Sequence, residues 1–247
     1  MVAKPLLTPF KMQDKRIRIL STRPLAKTLI AQAVQQNIII DQETFIEIRK
    51  NITPETFDRI EKLTKQSVTV VFTSMNAVEV LVDYLKDQSK IPDWKIYCMG
   101  GATSSLVKKY WLNDAVFGNA KNASELALEI IADKQVEVNF FCGNKRREEL
   151  PALLHENGIS VNELMVYETL ELTNKIKQEY DAILFFSPSA VHSFFQKNKI
   201  TDNTVLFAIG STTAETIKSF CSNKIVLSNF PDKEQMVEQA VKMMGKL

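Results

Sequence analysis

This chain builds the same strand end twice, and that repetition leaves few folds open to it. "FTSMNAVEVL" (72–81) and "FFSPSAVHSF" (185–194) each close an apolar run with small polar residues, then resume apolar residues at helical spacing. Ser74 and Ser187 are offset by 113 positions. The likeness continues downstream. "CMGGATSSLV" (98–107) matches "AIGSTTAETI" (208–217), and "VFGNAKNASELALEI" (116–130) matches "VLSNFPDKEQMVEQA" (226–240), both at an offset of 110. The remaining pair is out of order. "FFCGNKRREELPALLHENGISVNELMVYE" closes the middle block at 140–168, whereas its partner, "RILSTRPLAKTLIAQAVQQNIIIDQETFIEI", opens the chain at 18–48. A duplicated domain with one copy inserted into the other produces this order. The boundaries follow: a first domain from 15–42 plus 173–247, a second from 53–163, and connecting strands at 43–52 and 164–172.

Short β-branched runs precede helical patterns throughout. "RIRIL", "VTVVF", "KIYCM", "AVFG", "VNFFC", "AILFF", "VLFAI" and "KIVLS" are each followed by an amphipathic stretch. Eight strand–helix units in succession predict an α/β fold with parallel sheets in three layers. Strands that are apolar on both faces fit sheets covered by helices on both sides. The two connectors alternate apolar and polar residues, so both read as strands able to pair. Few contacts cross such a junction, so opening and closing of the two domains is the default expectation.

Composition narrows the function. With 31 basic and 29 acidic residues, the chain lacks the basic excess of a nucleic-acid binder. Its three cysteines, Cys98, Cys142 and Cys221, form no CxxC pair, and only two histidines are present, so neither a zinc site nor a disulfide framework is expected. No GxGxxG or GxxxxGK[ST] pattern occurs. The N-terminus lacks the apolar stretch of a signal peptide, and no run approaches the ~18 residues of a membrane span. A cytoplasmic, monomeric protein without metal or cofactor is the expectation, with the first ~14 residues as a loose arm.

Ligands of open parallel sheets sit beyond the carboxyl ends of the strands. Small polar clusters occupy those positions: Ser21-Thr22-Arg23, Thr73-Ser74, Gly100-Gly101-Ala102-Thr103, Cys142-Gly143-Asn144, Ser187-Pro188-Ser189 and Gly210-Ser211-Thr212-Thr213. Each precedes a helix, whose free amides favour anions. Taken one at a time, such residues are ordinary helix caps. As an array in two facing domains they would line a donor-rich cleft suited to carboxylates or phosphates. Basic residues near these ends are few: Arg23, Lys121 and the run "NKRRE" (144–148). A cationic run at a helix start opposes the helix dipole unless an anion meets it. Neither His155 nor His192 sits beside a strand-end serine with an acid partner, so a hydrolase triad has weak support. An enzyme built this way works by shape and donor placement, with a weak acid such as a phenol.

"STRP" (21–24), "FTSMNAV" (72–78), "GGAT" (100–103), "VYET" (166–169), "SPSAV" (187–191) and "AIGSTTAETI" (208–217), in this order and within the insertion topology, resemble the uroporphyrinogen-III synthase family over about residues 16–245. The chain departs from it in "QQNIIIDQE", where the family often carries Gly and Pro, and at Met75, where it often has a smaller residue. The resemblance implies cyclisation of hydroxymethylbilane, a linear tetrapyrrole polycarboxylate, to uroporphyrinogen III, with loss of water and inversion of the terminal ring, without cofactor or metal. It also implies a functional tyrosine on the second connector, here Tyr167. A phenol titrates near ~10, so it carries its proton at neutral pH and can help a hydroxyl leave. Ser74, Thr103, Ser187, Ser189, Thr212 and Thr213 would donate hydrogen bonds to substrate carboxylates, and Arg23, Lys145 and Arg146 would be charge partners. Two other readings use the same residues: a non-catalytic two-domain protein closing on a small anion, and a glycosyltransferase-like enzyme.

Overall fold

The computed structural model describes residues 16–86, 91–111, 115–230 and 232–246. The expected N-terminal arm lies outside the described residues. In chain order the elements are β1 (Ile17–Ser21), α1 (Lys27–Gln35), β2 (Ile38–Gln42), β3 (Ile46–Lys50), α2 (Pro54–Thr64), β4 (Val68–Phe72), α3 (Met75–Leu85), β5 (Trp94–Met99), α4 (Gly101–Tyr110) and β6 (Val116–Ala120). There follow α5 (Ala123–Ala132), β7 (Glu137–Gly143), α6 (Glu149–Glu156), β8 (Ser160–Glu171), β9 (Ala182–Phe185), α7 (Pro188–Lys197), β10 (Val205–Ala208), α8 (Ser211–Lys218), β11 (Ile225–Leu227) and α9 (Lys233–Met244). Among the described residues, no helix is long and apolar enough to cross a membrane.

The chain divides into two compact units, one ending at Phe45 and resuming at Thr173, the other spanning 46–172. The first has a parallel sheet in the order β11-β10-β9-β1-β2. The second has the order β3-β8-β7-β4-β5-β6, parallel except that β3 runs antiparallel to β8. Set side by side, β2-β1-β9-β10-β11 and β8-β7-β4-β5-β6 match strand for strand with the pairs found in the sequence. The same sheet is thus assembled from two chain orders.

The strands bury both faces, as their apolar runs require. In β4, Val70 and Phe72 join Trp94, Ile96, Phe141 and the inner faces of α2, α3 and α4. Val71, between them, faces the opposite way and packs with Tyr97, Phe140 and the buried sides of α5 and α6. In the other unit, Ile19, Leu184 and Phe207 pack under α1 and α9. On α7, Phe194 meets Phe45 at 5.1 Å and Phe185 at 5.4 Å, both edge to face.

All eight strands anticipated from sequence are present. The structure adds β2 and α2, and it redraws the connector. The segment expected to run separately from 164 is the second half of one 12-residue strand, β8. Residues 160–167 pair with β7 and residues 167–171 with β3, so Tyr167 belongs to both ladders. No Gly or Pro interrupts "SVNELMVYETLE", and no turn residue stands at 163–165, so nothing stops the strand where a domain boundary was expected. The strand does contain an irregularity. Cys142 pairs with Met165 and Gly143 with Tyr167, leaving Val166 as an extra residue.

Candidate functional site

Both sheets reverse direction once. In the second unit the chain winds outward from β4 through β5 and β6, then returns to the other side of β4 with β7 and β8. The crevice of such a sheet lies beyond the carboxyl ends at the reversal, here between β4 and β7. The equivalent point in the first unit lies between β9 and β1. The strand-end clusters fall at and around these two points.

Helix capping divides the clusters into two kinds. Ser74 Oγ accepts the Asn76 amide at 3.2 Å, and Ser187 Oγ accepts the Ala190 amide at 3.2 Å. Both serines therefore cap their own helices, while each hydroxyl proton remains available to a ligand. No side chain caps α4 or α8, whose caps are Gly100 and Gly210. Their leading amides consequently have no side-chain acceptor, and these are the two positions matched by the repeat. Such a helix start attracts carboxylates.

The two glycines are not equivalent in backbone. Gly100 lies at φ +84° and ψ 150°, a region essentially reserved for glycine, whereas Gly210 is extended. Space does not distinguish them, since a Cβ would meet nothing within 4 Å at either position. Gly100→Ala should therefore lose about 1–3 kcal/mol of stability. Gly210→Ala should stay within about 0.5 kcal/mol. Urea unfolding of the two variants checks the difference.

The threonines are less open than expected. Thr103 and Thr213 are only 5% and 2% exposed. Their hydroxyls have little to offer an incoming ligand in this conformation, and the amides around them are the better donors. Thr212 and Ser189 are half-buried in the first turns of α8 and α7. Arg23 is exposed, with its guanidinium carbon 5.6 Å from the centre of the Phe186 ring. It is thus held beside the reversal point of its unit.

The "NKRRE" cations behave differently from the expectation. Lys145 pairs with Glu171 at 3.0 Å. Arg146 bonds Glu163 at 2.5 Å and Glu148 at 2.6 Å, with its side chain 21% exposed. Burial opposes its charge, and the two carboxylates outweigh that and raise its pKa. The anion that meets this helix start is supplied by the protein. Arg147, also in the run, and Lys121 are exposed and make no ion pair with another described residue. Sequence could not rank three adjacent cations, because Glu163 and Glu171 arrive from a distant strand.

Tyr167 lies at the end of β7's pairing with β8. Its carbonyl accepts the Asn144 amide at 3.3 Å, and Asn144 Oδ1 accepts the Thr169 amide at 2.8 Å. The side chain is 9% exposed and packs with Leu164 and Val166. Its hydroxyl makes no hydrogen bond among the described residues and is not sealed from solvent. The neighbouring Cys142 thiol is pushed up to about 11, chiefly by burial, which rules it out as a thiolate nucleophile at neutral pH.

Two features compete for attention and lie elsewhere. A cavity of about 570 Å³, lined by Lys175, Tyr180, Lys197, Asn198 and Thr204 among others, sits where β9 and β10 begin, at the opposite edge of the sheet from the donor corners. His192 is exposed and stacks edge-on against Phe220 at 5.3 Å. Among the described residues, no group of three or more His, Cys, Asp or Glu side chains could hold a metal ion.

Comparison with known proteins agrees with this architecture. Residues 30–238 match the family model described as uroporphyrinogen-III synthase HemD. The uroporphyrinogen-III synthase of Saccharomyces cerevisiae is 24% identical over 202 residues, 68% of this chain and 74% of the yeast protein. The crystal structure of a mutant uroporphyrinogen III synthase from Thermus thermophilus superposes with a TM-score of 0.68 at 16% identity, covering 94% of this chain and 100% of that one. The Helicobacter pylori enzyme gives 0.59 at 20% identity, covering 92% and 99%. With the duplicated sheet, the donor corners and a family match across most of its length, this chain belongs to the uroporphyrinogen-III synthase family.

Proposed function

We propose that this chain is a lyase that cyclises hydroxymethylbilane to uroporphyrinogen III. The observation that supports it most is Tyr167. A phenol lies over Gly143 at the carboxyl end of β7, a strand that borders the reversal of the second unit, its hydroxyl without an internal hydrogen bond among the described residues. A free phenol of this kind can donate to a leaving group.

The chemistry asks for little more. The carbon–oxygen bond of the substrate's hydroxymethyl group breaks, and the oxygen departs as water with a proton from Tyr167 Oη. A carbon–carbon bond then forms at the substituted α-carbon of the terminal pyrrole, the bond from that carbon to its existing methylene bridge breaks, and the bridge re-bonds at the free α-carbon of the same ring, whose proton restores the phenol. The balance is one water, with no oxidant or metal required. The remaining task is positioning, because the same linear chain can close with or without inversion of its last ring. Holding one geometry is an entropic contribution that can reach about 7–11 kcal/mol.

Positioning needs contacts with the carboxylates. The uncapped amides of α4 and α8, the Ser74 and Ser187 hydroxyls, Ser189, Thr212 and the cations Arg23, Arg147 and Lys121 serve this purpose. Lys145 and Arg146 instead hold β8 in place through Glu171 and Glu163. Incubating the purified chain with hydroxymethylbilane and resolving the oxidised products should yield mainly the type III isomer. Type I alone, at the rate of spontaneous closure, would overturn the proposal.

A further inference from the structure

The mechanism depends on where the Tyr167 oxygen sits, and the structure contains a device that sets it. In a regular strand, consecutive side chains point to opposite faces. Val166 and Tyr167 nevertheless join the same core cluster, together with Leu164. The extra residue at Val166 accounts for this. A bulge shifts the alternation by one, and it re-aims the next side chain. Without it, the ring of Tyr167 would lie across the sheet from Val166.

Once re-aimed, the ring needs room. It finds that room over the last residue of β7, Gly143, with which Tyr167 is in register. A Cβ built on Gly143 would lie 2.4 Å from both Cε2 and Cζ of Tyr167, and 2.9 Å from Cδ2. These ring carbons are the three nearest atoms to that position. Gly143 does not have the positive φ that would call for glycine on backbone grounds. Its lack of a side chain serves the ring instead. The two nearest of them include Cζ, which carries the hydroxyl, so a methyl group there must displace the oxygen itself.

We propose that Gly143 is a positioning residue: the bare Cα at the end of β7 is the seat that, with the bulge at Val166, fixes the Tyr167 phenol at the reaction centre. The inference rests on the reading of Tyr167 as the proton donor. It adds that donor placement depends on a residue with no side chain of its own, acting through the Tyr167 ring. Asn144 completes the arrangement by holding the backbone of β8 on the far side of Tyr167 through Thr169.

The test compares Gly143→Ala, Tyr167→Phe and the double variant in turnover of hydroxymethylbilane. Gly143→Ala should lower kcat fivefold or more, with KM changed less than twofold. The double variant should match Tyr167→Phe within twofold, because the displaced group no longer has a proton to give. Losses that multiply would overturn the inference, as would a normal kcat for Gly143→Ala when Tyr167→Phe is impaired. A Tyr167→Phe enzyme with normal turnover would instead sink the proton-donor reading, and the inference with it. Should Gly143→Ala fold poorly, the same change is made in Tyr167→Ala, where the ring is gone. Its urea midpoint should then equal that of Tyr167→Ala alone. A further drop as large as that in the natural background would place the clash elsewhere and overturn the assignment.

Discussion

Tyr167→Phe should reduce kcat at least tenfold while leaving the folded structure intact. General acid catalysis contributes typically about 10²–10⁴ in rate, so a tenfold loss, about 1.4 kcal/mol, is a conservative expectation. The substitution removes one oxygen that bonds nothing among the described residues, so it leaves no buried partner unsatisfied. The ring stays on Gly143, and the packing against Leu164 and Val166 is retained. KM should therefore move little, because the lost interaction belongs to the transition state. A stopped assay for turnover, paired with urea unfolding, separates chemistry from folding. Turnover equal to the natural enzyme would remove the phenol from the reaction.

The second large effect concerns the core beneath that site. Phe141 lies two residues before Gly143, stacked on Phe72 at 5.5 Å and on Trp94 at 5.6 Å between ring centres. Trp111 closes the group, 6.0 Å from Trp94 and 6.1 Å from Phe72. Phe141→Ala opens a cavity inside this cluster, and such truncations cost about 3–5 kcal/mol. Whole domains are stable by only about 5–15 kcal/mol, so the second unit should lose a large part of its stability. Phe141→Leu keeps most of the volume and should cost clearly less. The chain's two tryptophans are both in this cluster, so their fluorescence follows the unfolding of this unit directly. Phe141→Ala should unfold at a much lower urea concentration, and its activity should fall in parallel as β7 ceases to hold Gly143 in place. An unchanged midpoint would show that the stacked rings contribute far less than their burial implies.

Catalysis and stability both depend on β7 and β8, strands that are only partly legible in the sequence. "VNFFC" reads clearly as a strand because its apolar run is bounded by turn residues. Tyr167 is named through the resemblance of "VYET", not through periodicity. Strict alternation would have placed it opposite Val166. Periodicity counts residues evenly along a strand, and the bulge breaks that count at Val166 because of how β8 pairs with β7. The cations show the same limit. Lys145 and Arg146 look available in the sequence because their partners, Glu171 and Glu163, stand 26 and 17 positions away. Thr103 and Thr213 look like donors because they follow glycines, and the packing of α4 and α8 buries them.

Local patterns in the chain settle the α/β class, the duplicated strand ends and the displaced order of one pair. Apolar runs, helical spacing and small residues before a helix act over a few positions, so they survive without knowledge of the rest of the molecule. Which helix starts remain uncapped, which cations are already paired, and that Tyr167 turns onto the bare Cα of Gly143 emerge only when the sheets are assembled. Those outcomes depend on register between strands far apart in the chain, where a single inserted residue changes the face a side chain occupies. A linear text records the residues on each strand but not the alignment between them.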